Sequence, residues 1–324
     1  MGERPTNAEI GDYAIREHHL FEVFKQGKRP SKEVLAGLQM LSEDHFIQLS
    51  KQAIVPWIDK MIVEEYSHHE KFFGYEFDLT LFRKTLSIVG RGRVEEWRKM
   101  GLEVHFLPDI LLADSGVRAV SDLLNLPGWH YKLSFRYWEW LSDRNLLFTG
   151  TESEKVPVEA NLGGIVVLID TRAKPAYNAG HQMFSDDDKY LGSIIRELRN
   201  KGKMVRYEKG PETSRFGISF NEWEKYIHPI LVDKLGVKLA QVRMETAIES
   251  HIISQIYTHM PRAEENTKDI STWTWCEEFL ESKKRQIFIN SGSPAEMLIG
   301  VGWQSPLVRS FAGAIRPIVV LAKE

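Results

Sequence analysis

An apolar run near the middle of the chain, at residues 157–170, constrains the fold more than any other stretch. It reads PVEANLGGIVVLID, with five consecutive aliphatic residues between Gly164 and Asp170. A short, unbroken, β-branched run that follows a glycine pair is typical of a strand buried on both faces. The sequence therefore predicts a core β-strand in this run.

The segments on either side of this strand predict the fold class. Before it, apolar residues recur at near-helical spacing over most of residues 6–147, which indicates a series of amphipathic helices. After it come a polar loop at 171–188, further helices and a strand-like tail. We therefore predict an α+β protein in which a helical N-terminal half, residues 1–150, packs on a mixed α/β C-terminal half, residues 151–324.

Local signals predict individual elements in both halves. Ser219 with Glu222 three residues later forms a capping-box pattern, and Gly236 occupies the position that follows a helix C-terminus. These residues predict a helix between them, interrupted at Pro229. Further helices are predicted at 78–101, 239–259 and 273–284, and further strands at 102–107, 287–289 and 315–321.

The net charge and the cysteine content argue against several classes of partner and site. The chain carries a formal net charge of −3 at pH 7 and a single cysteine, Cys276. The lack of a basic surplus argues against a nucleic-acid partner. One cysteine can form neither an internal disulfide nor a multi-thiolate metal site. The sequence shows no signal-peptide pattern and no apolar run of the roughly 18–20 residues that a membrane span requires, so we expect a soluble, cytoplasmic protein with no membrane partner.

The short motifs of the common catalytic folds are missing. The sequence contains no GxGxxG, GxxxxGK, GxSxG or HExxH string. These absences count against dinucleotide-binding, P-loop, α/β-hydrolase and zincin folds.

Asp170 ends the predicted strand, and ligands of open α/β sheets collect at the carboxyl ends of strands. The tetrapeptide IDTR at 169–172 resembles the first motif of haloacid-dehalogenase-like phosphotransferases, although Arg172 stands where that family has its second aspartate. An enzyme built on this motif would use Asp170, Arg172 and His181, with the loop at 177–188, on a phosphorylated or otherwise anionic substrate. Alternatively, Asp170 caps the turn that follows the strand.

Three consecutive carboxylates, Asp186, Asp187 and Asp188, are the candidates for binding a hard cation such as calcium or magnesium. Adjacent side chains diverge, however, and acidic residues also suit the first turn of the helix predicted to follow. The capping role is therefore the alternative.

Two histidine pairs are further candidates for metal ligands. The helical neighbours His68 and His69 point about 100° apart, which disfavours one shared ion. His251 and His259 would be separated by about 12 Å of helical rise. We predict no metal site and no cofactor.

The C-terminal fifty residues contain tryptophan, glycine and serine in a recognisable order. The segments WTWCEEF at 273–279, NSGS at 290–293, GVGW at 300–303 and AIRPIVVL at 314–321 follow one another. This order resembles the end of C-type-lectin-like domains in formylglycine-generating-enzyme relatives and in the variable proteins of diversity-generating retroelements, whose closing strand carries a Gly-Phe-Arg-Pro-like signature. The catalytic cysteines of that family have no counterpart here, so the resemblance implies binding without formylglycine chemistry. It implies a ligand face with the residues Trp303, Gln304, Arg309, Ser291 and Ser293. Alternatively, Trp303 lies in the core.

We expect a non-enzymatic binding protein that recognises another protein or a small polar ligand through its C-terminal half. The alternatives are a metal- or phosphate-dependent enzyme using Asp170, Arg172 and the 177–188 loop, and a structural component of an assembly. The sequence leaves enzymatic activity open.

Overall fold

A computed structural model of the chain describes residues 57–110, 132–142, 146–150, 153–171, 189–260, 272–290 and 298–323. These residues form helices and mainly antiparallel sheets, which confirms the predicted α+β class. The chain divides into two units, Met1–Glu64 and Glu65–Glu324. Apart from residues 57–64 of the first helix, the features discussed below belong to the second unit.

Helices and strands are numbered in chain order. The helices are α1 (Trp57–Phe73), α2 (Thr80–Val89), α3 (Arg91–Lys99), α4 (Phe135–Ser142), α5 (Gly192–Asn200), α6 (Phe220–Glu222), α7 (His228–Leu235) and α8 (Ala247–Ile256). A π-helical turn (Trp223–Ile227) joins α6 to α7, and a 3-10 turn (Leu239–Gln241) follows α7. The strands are β1 (Leu102–Leu107), β2 (Lys132–Leu133), β3 (Leu147–Gly150), β4 (Lys155–Pro157), β5 (Ile165–Asp170), β6 (Val242–Met244), β7 (Trp273–Leu280), β8 (Gln286–Asn290), β9 (Leu298–Ile299), β10 (Val301–Gln304), β11 (Gly313–Ala314) and β12 (Pro317–Lys323).

Strand β5 is the centre of a four-stranded antiparallel sheet with the order β1-β5-β12-β6. Every residue of β5 is buried, which confirms the core strand predicted from the apolar run. Its backbone groups pair with β1 on one side and β12 on the other, so the buried peptide groups keep hydrogen-bond partners. The predicted strands at 102–107 and 315–321 correspond to β1 and β12.

A second sheet has the order β10-β8-β7-β3-β4, with β11 parallel to β7. The helix predicted at 273–284 is wrong, because residues Trp273–Leu280 form strand β7 in the middle of this sheet. The two tryptophans of that strand, Trp273 and Trp275, alternate with threonine and cysteine at the period of two that a strand requires. Pairing with β8 and β3 on its two sides outweighs the helical preference of the glutamates that follow.

Capping signals marked helix ends more reliably than apolar spacing. Ser219 and Glu222 form the predicted reciprocal capping box, and Gly236 ends α7 in the left-handed conformation at φ 62°. The predicted helix at 239–259 instead contains strand β6, and α8 begins only after a second capping box at Thr246. The predicted helix at 78–101 is divided into α2 and α3 at Gly90, whose φ is 79°.

The predicted halves share both sheets. Strands β1 and β3 lie within residues 1–150, yet they pair with β5 and β7, which lie within residues 151–324. Strands β3 and β4, in which Gly150 pairs with Lys155, lie on opposite sides of the predicted boundary after residue 150. A common core joins α4, α8 and both sheets. It includes the buried residues Tyr137, Trp138, Val167, Ile169, Ile252, Ile253, Cys276 and Ile287.

Candidate metal centre

Three side chains with metal-ligand chemistry converge beside strand β1. Glu103, His105 and His259 each offer one ligand atom, and these atoms all lie within 4.8 Å of one another. Oε2 of Glu103 lies 3.2 Å from Nε2 of His105 and 2.9 Å from Nε2 of His259. Ligand atoms on a tetrahedral Zn²⁺ are roughly 3.3 Å apart, given metal–ligand bonds of about 2.0–2.1 Å. These two separations therefore approach those of a coordination sphere.

The fold explains why these residues meet. Glu103 and His105 are two positions apart on β1, and side chains at that spacing project from the same face of a strand. His259 lies three residues beyond the end of α8, in the turn that leaves that helix. Helix α8 packs in the same core as β5, the neighbour of β1. Its C-terminal end therefore carries His259 to the face of β1 that holds Glu103 and His105.

A buried carboxylate orients the central histidine. Nδ1 of His105 donates to Oε2 of Glu65 across 2.9 Å, and Glu65 is 2 % exposed. Glu65 also accepts from the backbone N–H of Phe106, at 2.8 Å, and from the Tyr257 hydroxyl, at 2.6 Å. These contacts hold the His105 ring with Nε2 facing Glu103. Histidines that bind metal generally donate their other ring N–H to such a carboxylate.

The protonation states of His105, Glu103 and Glu65 depend on one another. Burial lowers the pKa of His105, but the charges and hydrogen bonds of Glu65 and Glu103 outweigh burial and raise it to about 9. Hydrogen bonds from His105 and His259 lower the pKa of Glu103 to about 2. Burial raises the pKa of Glu65, yet His105 reverses this and holds it well below its ordinary value. Without a metal, a protonated His105 thus neutralises part of the carboxylate charge, and a bound cation would replace that proton.

His68 lies beside the three converging residues. Its ring centroid is 5.6 Å from that of His259 and 6.2 Å from that of His105. Burial lowers the pKa of His68 to about 4, and the neighbouring imidazoles act in the same direction. The adjacent His69 points away, because its buried Nε2 donates to the Phe106 carbonyl at 2.9 Å. The two histidines thus diverge, as their helical spacing indicates.

Asp170, the candidate nucleophile, is fully buried in an ion pair. Its Oδ2 accepts from Nη1 of Arg215 across 2.5 Å, and its backbone carbonyl accepts from Arg316. Asp170 is 0 % exposed and Arg215 is 1 % exposed. No open approach to Asp170 is therefore present among the residues that the structure describes. The other candidates for the enzyme and for its cation lie outside these residues: Arg172, His181, Asp186, Asp187 and Asp188.

Trp303 lies on the surface rather than in the core. Its side chain on β10 is 45 % exposed, and the guanidinium of Arg285 lies 5.0 Å from its ring centroid. Gln304, the next residue, is also exposed. Arg309 lies on the same C-terminal segment and forms an ion pair of 2.9 Å with Glu222. Ser291 and Ser293 lie outside the described residues.

A cleft of about 820 Å³ lies between the edge of β4 and the β6–β12 side of the other sheet. Its charged lining includes Arg243, which forms two 2.6 Å hydrogen bonds with Glu249. Glu277 lines the same cleft, and burial raises its pKa to about 7. Sequence analysis identified neither the cleft nor these residues.

The candidate metal site formed by Glu103, His105 and His259 was not predicted from the sequence either, although one signal for it is present. In the segment Glu103-Val104-His105, polar and apolar residues alternate on strand β1, which was correctly predicted. Its partner His259 could not be assigned from the sequence, because His259 was placed inside a helix that in fact ends at Ile256.

Comparisons of the chain with protein-family models, with curated proteins and with solved structures give no match. None of the helices in the described part of the chain combines the length and the apolar character that crossing a membrane demands.

Proposed function

We propose that this protein binds a divalent transition-metal ion, with Zn²⁺ as the first candidate, through Glu103, His105 and His259. The convergence of the three ligand atoms within 4.8 Å carries the proposal. Two imidazoles and one carboxylate suit Zn²⁺, and the same set also accepts other first-row divalent ions. Calcium and magnesium are disfavoured because they prefer oxygen ligands.

The environment of His105 supports this function. The hydrogen bond from His105 places the Glu65 carboxylate in the protein interior. Hydrogen bonds from the Tyr257 hydroxyl and from the backbone N–H of Phe106 stabilise this buried carboxylate. Such a supported carboxylate fixes the ring orientation and increases the basicity of the ligand nitrogen. His259 and Glu103 are partly exposed, which gives an ion a path to the site.

The test is a Zn²⁺ titration of the purified, chelator-treated full chain in competition with a chromophoric chelator. We expect one ion per chain for the wild type and strongly weakened binding for Glu103→Gln and His259→Ala. Glu95→Gln is the matched control, because Glu95 is an exposed glutamate on α3 that pairs with Arg91. Binding by the wild type no tighter than by both cluster variants would overturn the proposal.

A second candidate function is recognition of a polar ligand or a protein at the surface around Trp303. The 45 % exposure of Trp303, with Arg285 over its ring, favours this function, since an exposed aromatic next to a cation is common in binding surfaces. The resemblance of residues 273–321 to C-type-lectin-like domains also supports it. The test is thermal unfolding against a panel of glycans, sugar phosphates and nucleotides. A ligand that binds the native state must raise the midpoint, and Trp303→Ala should abolish that shift.

A further inference from the structure

We propose that His68 is the fourth ligand of this ion, so that three imidazoles and one carboxylate form a closed, tetrahedral site. The inference rests on the proposed metal binding and adds the class of site: a structural metal with no position left for water or substrate. It also assigns a role to a histidine on α1, an element that contributes none of the three converging residues.

The spacing of the three imidazole rings is the first observation. The centroids of His68, His105 and His259 are separated by 5.6, 6.2 and 6.2 Å, which forms a nearly equilateral triangle. Imidazoles on one tetrahedral Zn²⁺ have centroids roughly 5 Å apart, given a Zn–N bond of about 2.0–2.1 Å and the size of the ring. Each ring therefore needs to move by about 1 Å or less, together with a rotation of His68, to reach a common ion.

The hydrogen bonding of His68 is the second observation. Within the described part of the chain, His105 and His259 both hydrogen-bond to Glu103 through Nε2, whereas the ring of His68 makes only aromatic contacts. One of these contacts is with Tyr257, at 5.2 Å between centroids. No hydrogen bond has to be broken to turn a His68 nitrogen toward the ion.

The backbone fixes His68 in position for this role. The next residue, His69, is fully buried and is held by the Phe106 carbonyl. Glu65, one turn earlier on α1, contacts His105 directly. Helix α1 is therefore attached to β1 on both sides of His68 in the sequence, and the imidazole of His68 cannot move far from the cluster.

A four-ligand site would connect three elements: α1 through His68, β1 through Glu103 and His105, and the turn after α8 through His259. Closed sites of this kind contribute to folding rather than to catalysis. Because the ion binds only the folded arrangement, metal binding should stabilise the fold by mass action.

Cobalt substitution tests the ligand set directly. The chelator-treated full chain is loaded with Co²⁺, whose visible d–d bands are intense in tetrahedral sites and shift in wavelength when a nitrogen ligand is exchanged for an oxygen ligand. We expect intense bands for the wild type and shifted bands for His68→Ala, in which a water oxygen replaces the imidazole nitrogen. Added imidazole should restore the wild-type spectrum in His68→Ala, a rescue that a general loss of structure would not permit.

The Zn²⁺ affinity of His68→Ala should fall by at least the roughly 10- to 100-fold that loss of an outer-shell partner costs. Glu70→Ala, an exposed neighbour on the same helix, should change neither the affinity nor the spectrum. If the wild type binds metal but His68→Ala keeps the same spectrum and affinity, His68 is not a ligand and the three-residue site stands. If the wild type binds no metal, the proposed function itself fails.

Discussion

The Nδ1–H of His105 donates to a carboxylate oxygen of Glu65 across 2.9 Å, inside the fold, while the opposite ring nitrogen faces Glu103 at the surface. This pair joins helix α1 to strand β1 and determines which nitrogen of His105 is available to a metal. Glu65 is therefore expected to control metal affinity without touching the ion.

Glu65→Gln should weaken Zn²⁺ binding by roughly 10- to 100-fold, the usual effect of removing an outer-shell carboxylate. The amide has nearly the shape of the carboxylate and still offers one oxygen to His105, so the ring keeps its orientation but loses the charge that makes it a better ligand. The measurement is competitive Zn²⁺ titration, with Glu95→Gln as the control. An unchanged affinity would show that the strength of His105 as a ligand does not depend on the charge of Glu65.

Asp170→Asn should destabilise the protein by about 3–5 kcal/mol, the usual cost of breaking a buried ion pair by removing one charge. Asp170 and Arg215 are both essentially inaccessible to solvent, so the guanidinium of Arg215 would remain buried without the opposite charge of Asp170. Urea unfolding of Asp170→Asn, of Arg215→Met and of the double variant measures the effect. We expect the double variant to lose less unfolding free energy than the two single variants lose together.

The same measurement decides between the structural and the catalytic interpretation of Asp170. A catalytic aspartate at the end of a strand can be replaced by asparagine with loss of activity and little change in unfolding. If Asp170→Asn unfolds at the same urea concentration as the wild type, the ion pair contributes little and the enzymatic role becomes the better account.

Parts of the fold that depend on local signals were predictable. The apolar run that forms β5, the capping box of Ser219 with Glu222, and the left-handed Gly236 each require only neighbouring residues. Strand β7 was not predictable in this way, because its central position depends on pairing with β3 and β8. Tertiary pairing of this kind regularly overrides local preference.

The candidate metal centre depends almost entirely on such distant contacts. His105 and His259 come together only because α8 ends at Ile256 and the chain then turns toward β1. The role of Glu65 is equally invisible in the sequence, since it comes from a contact between residues 40 positions apart. A histidine two residues after a glutamate on a strand is too common a pattern to indicate a metal site by itself.

Two tryptophans of the second sheet should respond differently to truncation. Trp275→Ala should cost about 3–5 kcal/mol, because this residue is 1 % exposed and its indole N–H donates to the Ile218 carbonyl. Trp303→Ala should change stability by no more than about 0.5 kcal/mol, the usual range for surface positions. Paired thermal and urea unfolding checks both values. A large destabilisation by Trp303→Ala would remove the argument for a binding surface around it.

Glu278 should make the protein less stable as the pH rises from about 5 to about 8. Burial raises the pKa of this carboxyl from its ordinary 4.5 to about 8, against the opposing hydrogen bond from the Ala247 backbone. Glu249 raises the pKa of Glu278 further, and the positive charge of Arg243 lowers it. Between these two pKa values the folded chain keeps a proton that the unfolded chain releases. The contribution of Glu278 is therefore complete below pH 4.5 and is lost as the pH passes through about 8.

Comparison with Glu278→Gln isolates this contribution from those of the other titrating groups. The amide mimics the protonated carboxyl at every pH, so the free energy of unfolding of the variant relative to the wild type should increase steadily between pH 5 and pH 8. The hydroxyl of Tyr137 also lies at this carboxyl, 3.4 Å from Glu278. Its pKa is raised well above the ordinary value, so it does not ionise in this range. Urea unfolding at intervals of half a pH unit provides the measurement, with Glu95→Gln as the exposed control. A constant difference between Glu278→Gln and the wild type would mean that Glu278 is already ionised at pH 5.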